Sequence, residues 1–175
     1  MLNQSEEELL TKIEQQAYVS ELEYHGCCQA TLKALQDHLG IGDSATFKAA
    51  TPFAAGIARR GECCGALIGG LMAIGIEFGR EDFDEPVVPQ DRMGRALDLG
   101  AELFERFEQE FGSFRCWDIQ ETIFGRHFDP KDPEVQEMKQ AGTYRDTLAQ
   151  GASKVAGKGA RLAAEIILRE RKKRE

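Results

Sequence analysis

No run of apolar residues in this chain is long enough to cross a membrane. The longest, 65–76, has 12 residues, four of them glycine, where a spanning helix needs about 20. A transmembrane helix is therefore excluded. A secretory signal is not expected either, because the opening MLNQSEEELL places three glutamates where such a signal carries lysine or arginine; a cytoplasmic protein is expected. Basic residues are outnumbered, with 22 Lys and Arg against 30 Asp and Glu and a net charge of −8, which argues against a nucleic-acid partner. There is no Cys-x-x-Cys, hence neither a thioredoxin-type motif nor a zinc ribbon, and no Cys-x-x-Cys-His to attach haem. Gly65-x-x-x-Gly69-Gly70 lacks the Lys-Ser/Thr of a phosphate-binding loop. Alternation with period two never extends beyond a few residues, so a sheet is not expected.

The charge that is present is unevenly spread. Residues 154–175 carry eight basic and three acidic groups, a net +5, which leaves −13 for the remainder. Such a tail reads as the solvated end of a long helix, its charge complementing the helix C-terminus. Contact with phosphates or a membrane surface is the alternative.

At 175 residues with 42% hydrophobic and 30% charged side chains, the chain has the length and composition of one globular domain. Its apolar residues recur at helical spacing almost throughout. Residues 5–24 carry Leu9, Leu10, Ile13, Ala17 and Leu22, with Ser5 as the N-cap. Residues 27–39 form a second helix closed by Gly40. Asp43 or Ser44 caps a short helix through residue 50, and Pro52 opens another short element over 53–58. Residues 62–78 are the least polar helix, with Gly61, Gly65 and Gly69 at four-residue spacing; this is the expected centre, glycine admitting close neighbours. A surface connection follows over 80–89. Helices are then expected over 91–111 (Met93, Leu97, Leu103, Phe104, Phe107, Phe111), over 116–124, as one short exposed piece within 126–144, and over 152–171. The expected fold is an all-α bundle of six to eight helices. Residues 1–150 bear the cysteines, and 151–175 form a basic helix packed on the same domain. Two long helices with wide apolar sides and the glycine face suggest a homodimer.

The candidate chemistry lies in five cysteines, Cys27, Cys28, Cys63, Cys64 and Cys116. An odd count without an export signal points to reduced thiols, metal or redox chemistry rather than a disulfide framework. All five fall at or near expected helix N-termini, with basic neighbours His25, Arg59, Arg60 and Arg115, an arrangement that lowers a thiol pKa from about 8.5 toward 7. Thiolate is both the nucleophile of disulfide exchange and a soft metal ligand. Neighbouring cysteines on a helix point about 100° apart, so each pair offers one thiol to a shared site. His25 reads as a helix-terminal surface residue, with a base or ligand role as its alternative.

The segments Gly26-Cys27-Cys28-Gln29-Ala30-Thr31-Leu32 and Gly61-Glu62-Cys63-Cys64-Gly65-Ala66-Leu67-Ile68-Gly69-Gly70, with Phe111-Gly112-Ser113-Phe114-Arg115-Cys116, resemble the redox-active proteins named for their cysteine signature, C_GCAxxG_C_C. The resemblance covers roughly residues 20–125. Cys27, Cys64 and Cys116 match signature positions, Cys28 and Cys63 are additions, and the family's last cysteine has no counterpart in 151–168. Split-Soret cytochromes c carry a related domain with haem and an iron–sulfur centre. The resemblance thus implies an iron–sulfur cluster or another thiolate-bound metal on Cys27, Cys64 and Cys116, with Cys28 or Cys63 as fourth thiol and Gly65 beside it. Electron transfer with an unidentified redox partner protein, or dithiol–disulfide exchange, would be the activity. The rival readings are a helical binding or assembly module with structural cysteines, and a carrier or sensor of a soft metal.

Overall fold

A computed structural model of the chain describes residues 4–83 and 91–174. Among these residues eight α-helices and one 3-10 turn follow one another without a β-strand, as the helical periodicity predicts. They are α1 (Gln4–Tyr24), α2 (Cys27–Leu39), α3 (Ser44–Ala49), the 3-10 turn Thr51–Phe53, α4 (Gly65–Phe78), α5 (Arg92–Phe111), α6 (Cys116–Phe124), α7 (Pro133–Gln140) and α8 (Tyr144–Lys172). Local signals set several ends. Asp43 and Thr46 form a reciprocal capping box on α3, Asp91 caps α5 by accepting from the Gly94 amide, and α2 stops at left-handed Gly40.

Four expectations are corrected. Helix α1 already includes Gln4, so Ser5 lies in its first turn; its buried residues are Leu10, Ile13, Ala17 and Glu21, and Leu22 is exposed. Helix α4 starts at Gly65 rather than 62, because the preceding residues are engaged with the segment before α6. Helix α8 starts at Tyr144 rather than 152. Gly151 does not break it but makes room for α6, since a Cβ there would lie 2.5 Å from Phe124 Cζ. Residues 53–58 are not a helical element. After the 3-10 turn, residues 55–59 all adopt left-handed φ values between 51° and 69°, a cost of about 1–2 kcal/mol for each residue other than glycine. The surface connection expected over 80–89 lies largely outside the described residues.

Helix α8 runs along α1 and also touches α2, α4 and α5, while α4 packs on α2, α5 and α8. The small residues of α4 are what permit this. A Cβ on Gly69 would lie 2.6 Å from the Cys28 carbonyl oxygen, and one on Gly70 would lie 2.8 Å from Leu103 Cδ2. The face that suggested a partner chain is thus consumed within the molecule. Phe78, Phe107, Leu32, Leu67 and Ile166 are fully buried around it, each contributing about 1.5–3 kcal/mol.

The basic tail is met by the acidic body. Arg161 reaches Glu7 at 2.5 Å and Glu14 at 3.5 Å, Arg169 holds Glu102 with two hydrogen bonds of 2.6 Å, and Arg171 pairs with Glu77 at 2.8 Å and donates to the Leu39 carbonyl at 3.0 Å. Lys172 pairs with Glu6.

Candidate functional site

The residues before α4 and α6 lie antiparallel to one another, with Cys63 and Arg115 facing each other as an isolated bridge. The Cys64 amide donates to the Phe114 carbonyl at 2.8 Å, the Cys116 amide to Glu62 at 2.7 Å and the Trp117 amide to Gly61 at 3.2 Å. Two cysteines 52 residues apart in sequence are thereby set side by side at the starts of two helices. Helix α2 supplies the third. Its first residue, Cys27, places Sγ where a Cβ on Gly65 would come within 2.4 Å of it, so only glycine at position 65 lets that sulfur approach the start of α4.

Cys27, Cys64 and Cys116 line one cavity of about 380 Å³. Its rim includes His25, Arg59 and Arg145, and Ile119 and Val155 are among its apolar walls. Cys28 and Cys63 are not among the lining residues: the Cys28 thiol sits 3.9 Å from Met72 Sδ inside the core, and Cys63 is half-buried in the bridge. His25 does border the cavity, held at a left-handed φ of 60°. Gln120 donates to Cys116 Sγ at 3.4 Å, and its carbonyl oxygen is fixed by accepting from the Phe128 amide at 2.9 Å.

Sequence reasoning missed Glu21. This carboxyl lines the same cavity, is only 6% exposed, and buries Oε2 without a hydrogen-bond partner among the described residues. Burial pushes its pKa up to about 8, partly opposed by the Gly26 amide. The signal was available: Leu10, Ile13, Ala17 and Glu21 fall on one helical stripe, so Glu21 occupies a core position. Left-handed His25 and Gly26 then turn the chain into α2 and bring Glu21 and Cys27 to the same cavity.

The thiols are not the low-pKa groups expected from their helix-terminal places. Burial raises all five, Cys28 and Cys116 to about 12. The Ala66 and Leu67 amides favour the Cys64 thiolate, although its side chain closes no capping hydrogen bond, and desolvation outweighs them. Each cavity thiol also feels another's charge, Cys27 that of Cys64, Cys64 that of Cys116, and Cys116 that of Cys27. Among the described residues no group of three or more His, Cys, Asp or Glu side chains is arranged to hold a metal ion. As they stand, these donors do not fit the iron–sulfur or thiolate-bound metal that the resemblance implies.

No curated protein and no solved structure matches the chain. A family model does, over residues 25–166, a span that contains all five cysteines and leaves Glu21 outside. With the greater part of its length matched, and three cysteines of that span on one cavity, the chain belongs to the family described as Putative redox-active protein (C_GCAxxG_C_C).

Proposed function

We propose that the chain is a thiol–disulfide redox protein in which Cys27, Cys64 and Cys116 act as one unit. A single observation carries this reading: cysteines 37 and 52 residues apart border the same cavity. Cysteines serving only as core filler are enclosed by packed side chains, whereas these three face open volume, which favours redox chemistry over a structural role. Oxidation joins two of the sulfurs, releases two protons and passes two electrons to a redox partner; reduction reverses this. Because burial keeps the resting thiols protonated, they react slowly with stray oxidants, thiolate being the nucleophile. The proposed setting is the cytoplasm, where free thiols persist, and all five cysteines are free.

The test is thiol titration of the purified protein before and after mild oxidation. The wild type is expected to lose two titratable thiols. The loss should persist in Cys28→Ser and Cys63→Ser, and vanish in every double variant drawn from Cys27, Cys64 and Cys116, which leaves one cavity thiol. Five inert thiols would overturn the reading in favour of a binding module. Iron with acid-labile sulfide in an anaerobic preparation would replace it with a cluster.

A homodimer belongs to the same proposal, now through a different surface. Helices α4 and α5 leave an apolar groove of about 750 Å³ between them, bordered by Leu71, Gly75, Met93, Leu97 and Phe104. Leu97 is 62% exposed at its edge. A second copy of the chain would cover it.

A further inference from the structure

We infer that the cavity binds a small disulfide of amino-acid type, its ammonium on Glu21, its carboxylate toward Arg59 and Arg145, and its sulfurs at the thiols. The inference rests on the thiol–disulfide reading and adds the oxidant's chemical class. A carboxyl oxygen buried without a partner is rare in folded proteins and calls for an explanation. Glu21 has such an oxygen and lines the cavity with the three thiols, so a ligand that donates there relieves the cost of leaving it unpaired. An ammonium donates with charge assistance and favours the ionised carboxylate, so its arrival displaces to solvent the proton that burial keeps on Glu21. The volume, about 380 Å³, suits a small organic molecule. Charge of the opposite sign stands at the rim, where Arg59 and Arg145 line the cavity and are exposed. A purely cationic ligand would meet these arginines on entry, and a purely anionic one would leave the buried Glu21 oxygen without a donor. A zwitterion satisfies both.

The reaction is balanced without another reactant. One cavity thiol, its proton released to solvent, attacks a sulfur of the ligand, whose sulfur–sulfur bond breaks, and the departing thiolate takes up a proton. A second cavity thiol then attacks the mixed disulfide and frees the other half as a thiol. The protein loses two electrons and two protons and gains one sulfur–sulfur bond; the ligand gains what the protein loses.

Three probes separate the contacts: cystine, cystamine (which lacks the carboxylate) and dithiodipropionate (which lacks the ammonium). The rate of thiol loss from the reduced full-length protein is divided, for each probe, by its rate with a free small thiol. Wild type should favour cystine over dithiodipropionate by about tenfold or more. Glu21→Gln should remove that advantage for cystine and cystamine while leaving dithiodipropionate unchanged. Arg59→Ala, at an exposed position, should slow cystine and dithiodipropionate and spare cystamine; it carries the test alone if circular dichroism finds Glu21→Gln misfolded. Wild-type rates that follow those of the free thiol overturn the inference, as does a Glu21→Gln variant that slows all three probes equally. If ferricyanide oxidises the cavity thiols but none of the probes does, the inference falls and the thiol–disulfide reading stands. If no oxidant removes thiols, both fall.

Discussion

At the scale of single residues, the site is governed by desolvation. A helix N-terminus contributes about 0.3–1 kcal/mol to a nearby negative charge, whereas full burial moves a pKa by up to several units. Burial is the largest influence on each of the five thiols, so placement at a helix start does not make them thiolates. Burial likewise dominates Glu21 and raises it from 4.5 to about 8. Between those two values the folded chain retains a proton that the unfolded chain has released. Stability therefore falls as pH rises from 4.5 and levels off above about 8, with a slope of up to ~1.4 kcal/mol per pH unit. In Glu21→Gln this dependence should disappear, so urea unfolding should show the variant gaining on the wild type across the window. Parallel curves for the two proteins would mean that Glu21 is charged in the folded state.

At the scale of elements, α4 and the loop before it hold the site. Gly65 is tightly enclosed, a Cβ there lying 2.4 Å from Cys27 Sγ and 2.9 Å from the Phe53 carbonyl oxygen, whereas a Cβ on Gly75, in the same helix, would meet nothing within 4 Å. Gly65→Leu should therefore cost about 1–3 kcal/mol or more by overpacking and disturb the thiols. Gly75→Ala should be neutral or stabilising by up to about 1 kcal/mol from helix propensity. Thermal melts of the pair check this, and equal melting temperatures would count against α4 as the tightly packed centre. The left-handed turn at 55–59 belongs to the same construction. It brings Ala55 and Arg59 to the cavity, and the Ala55 backbone favours the Cys27 thiolate. Strain of this kind persists where the surroundings over-determine it, commonly at binding sites.

At the scale of the molecule, charge and apolar surface are arranged differently. The basic tail is paired with part of the acidic body through α8, in pairs worth about 0–1 kcal/mol each where exposed, and the chain keeps a net charge of −8. Apolar surface is left over on α5, whose buried stripe is Leu99, Leu103 and Phe107 while Met93 and Leu97 remain exposed. Light scattering at micromolar concentration should give twice the 19.5 kDa chain mass, reverting to one chain in Leu97→Glu. A wild-type mass of 19.5 kDa would rule out the dimer.

What the sequence determined by itself was local. The 3.6-residue periodicity and the glycines flanking 27–39 and 116–124 were enough to place helices α2 and α6 at their observed bounds, because the hydrogen bonds of a helix and its caps link residues about two to five positions apart. The register of Glu21 with Leu10, Ile13 and Ala17 was equally local, although a carboxylate on an apolar stripe is easily taken for surface. The tertiary structure decided the rest. The pairing of 62–64 with 114–116 joins segments about fifty residues apart through backbone hydrogen bonds, which carry no side-chain pattern. Helix α8 begins eight residues before the expected 152, and Gly151 inside it leaves room for the rings of α6. Above all, the state of each ionisable group depends on how much water the fold removes from around it, and the amount of water removed depends on every element packed nearby.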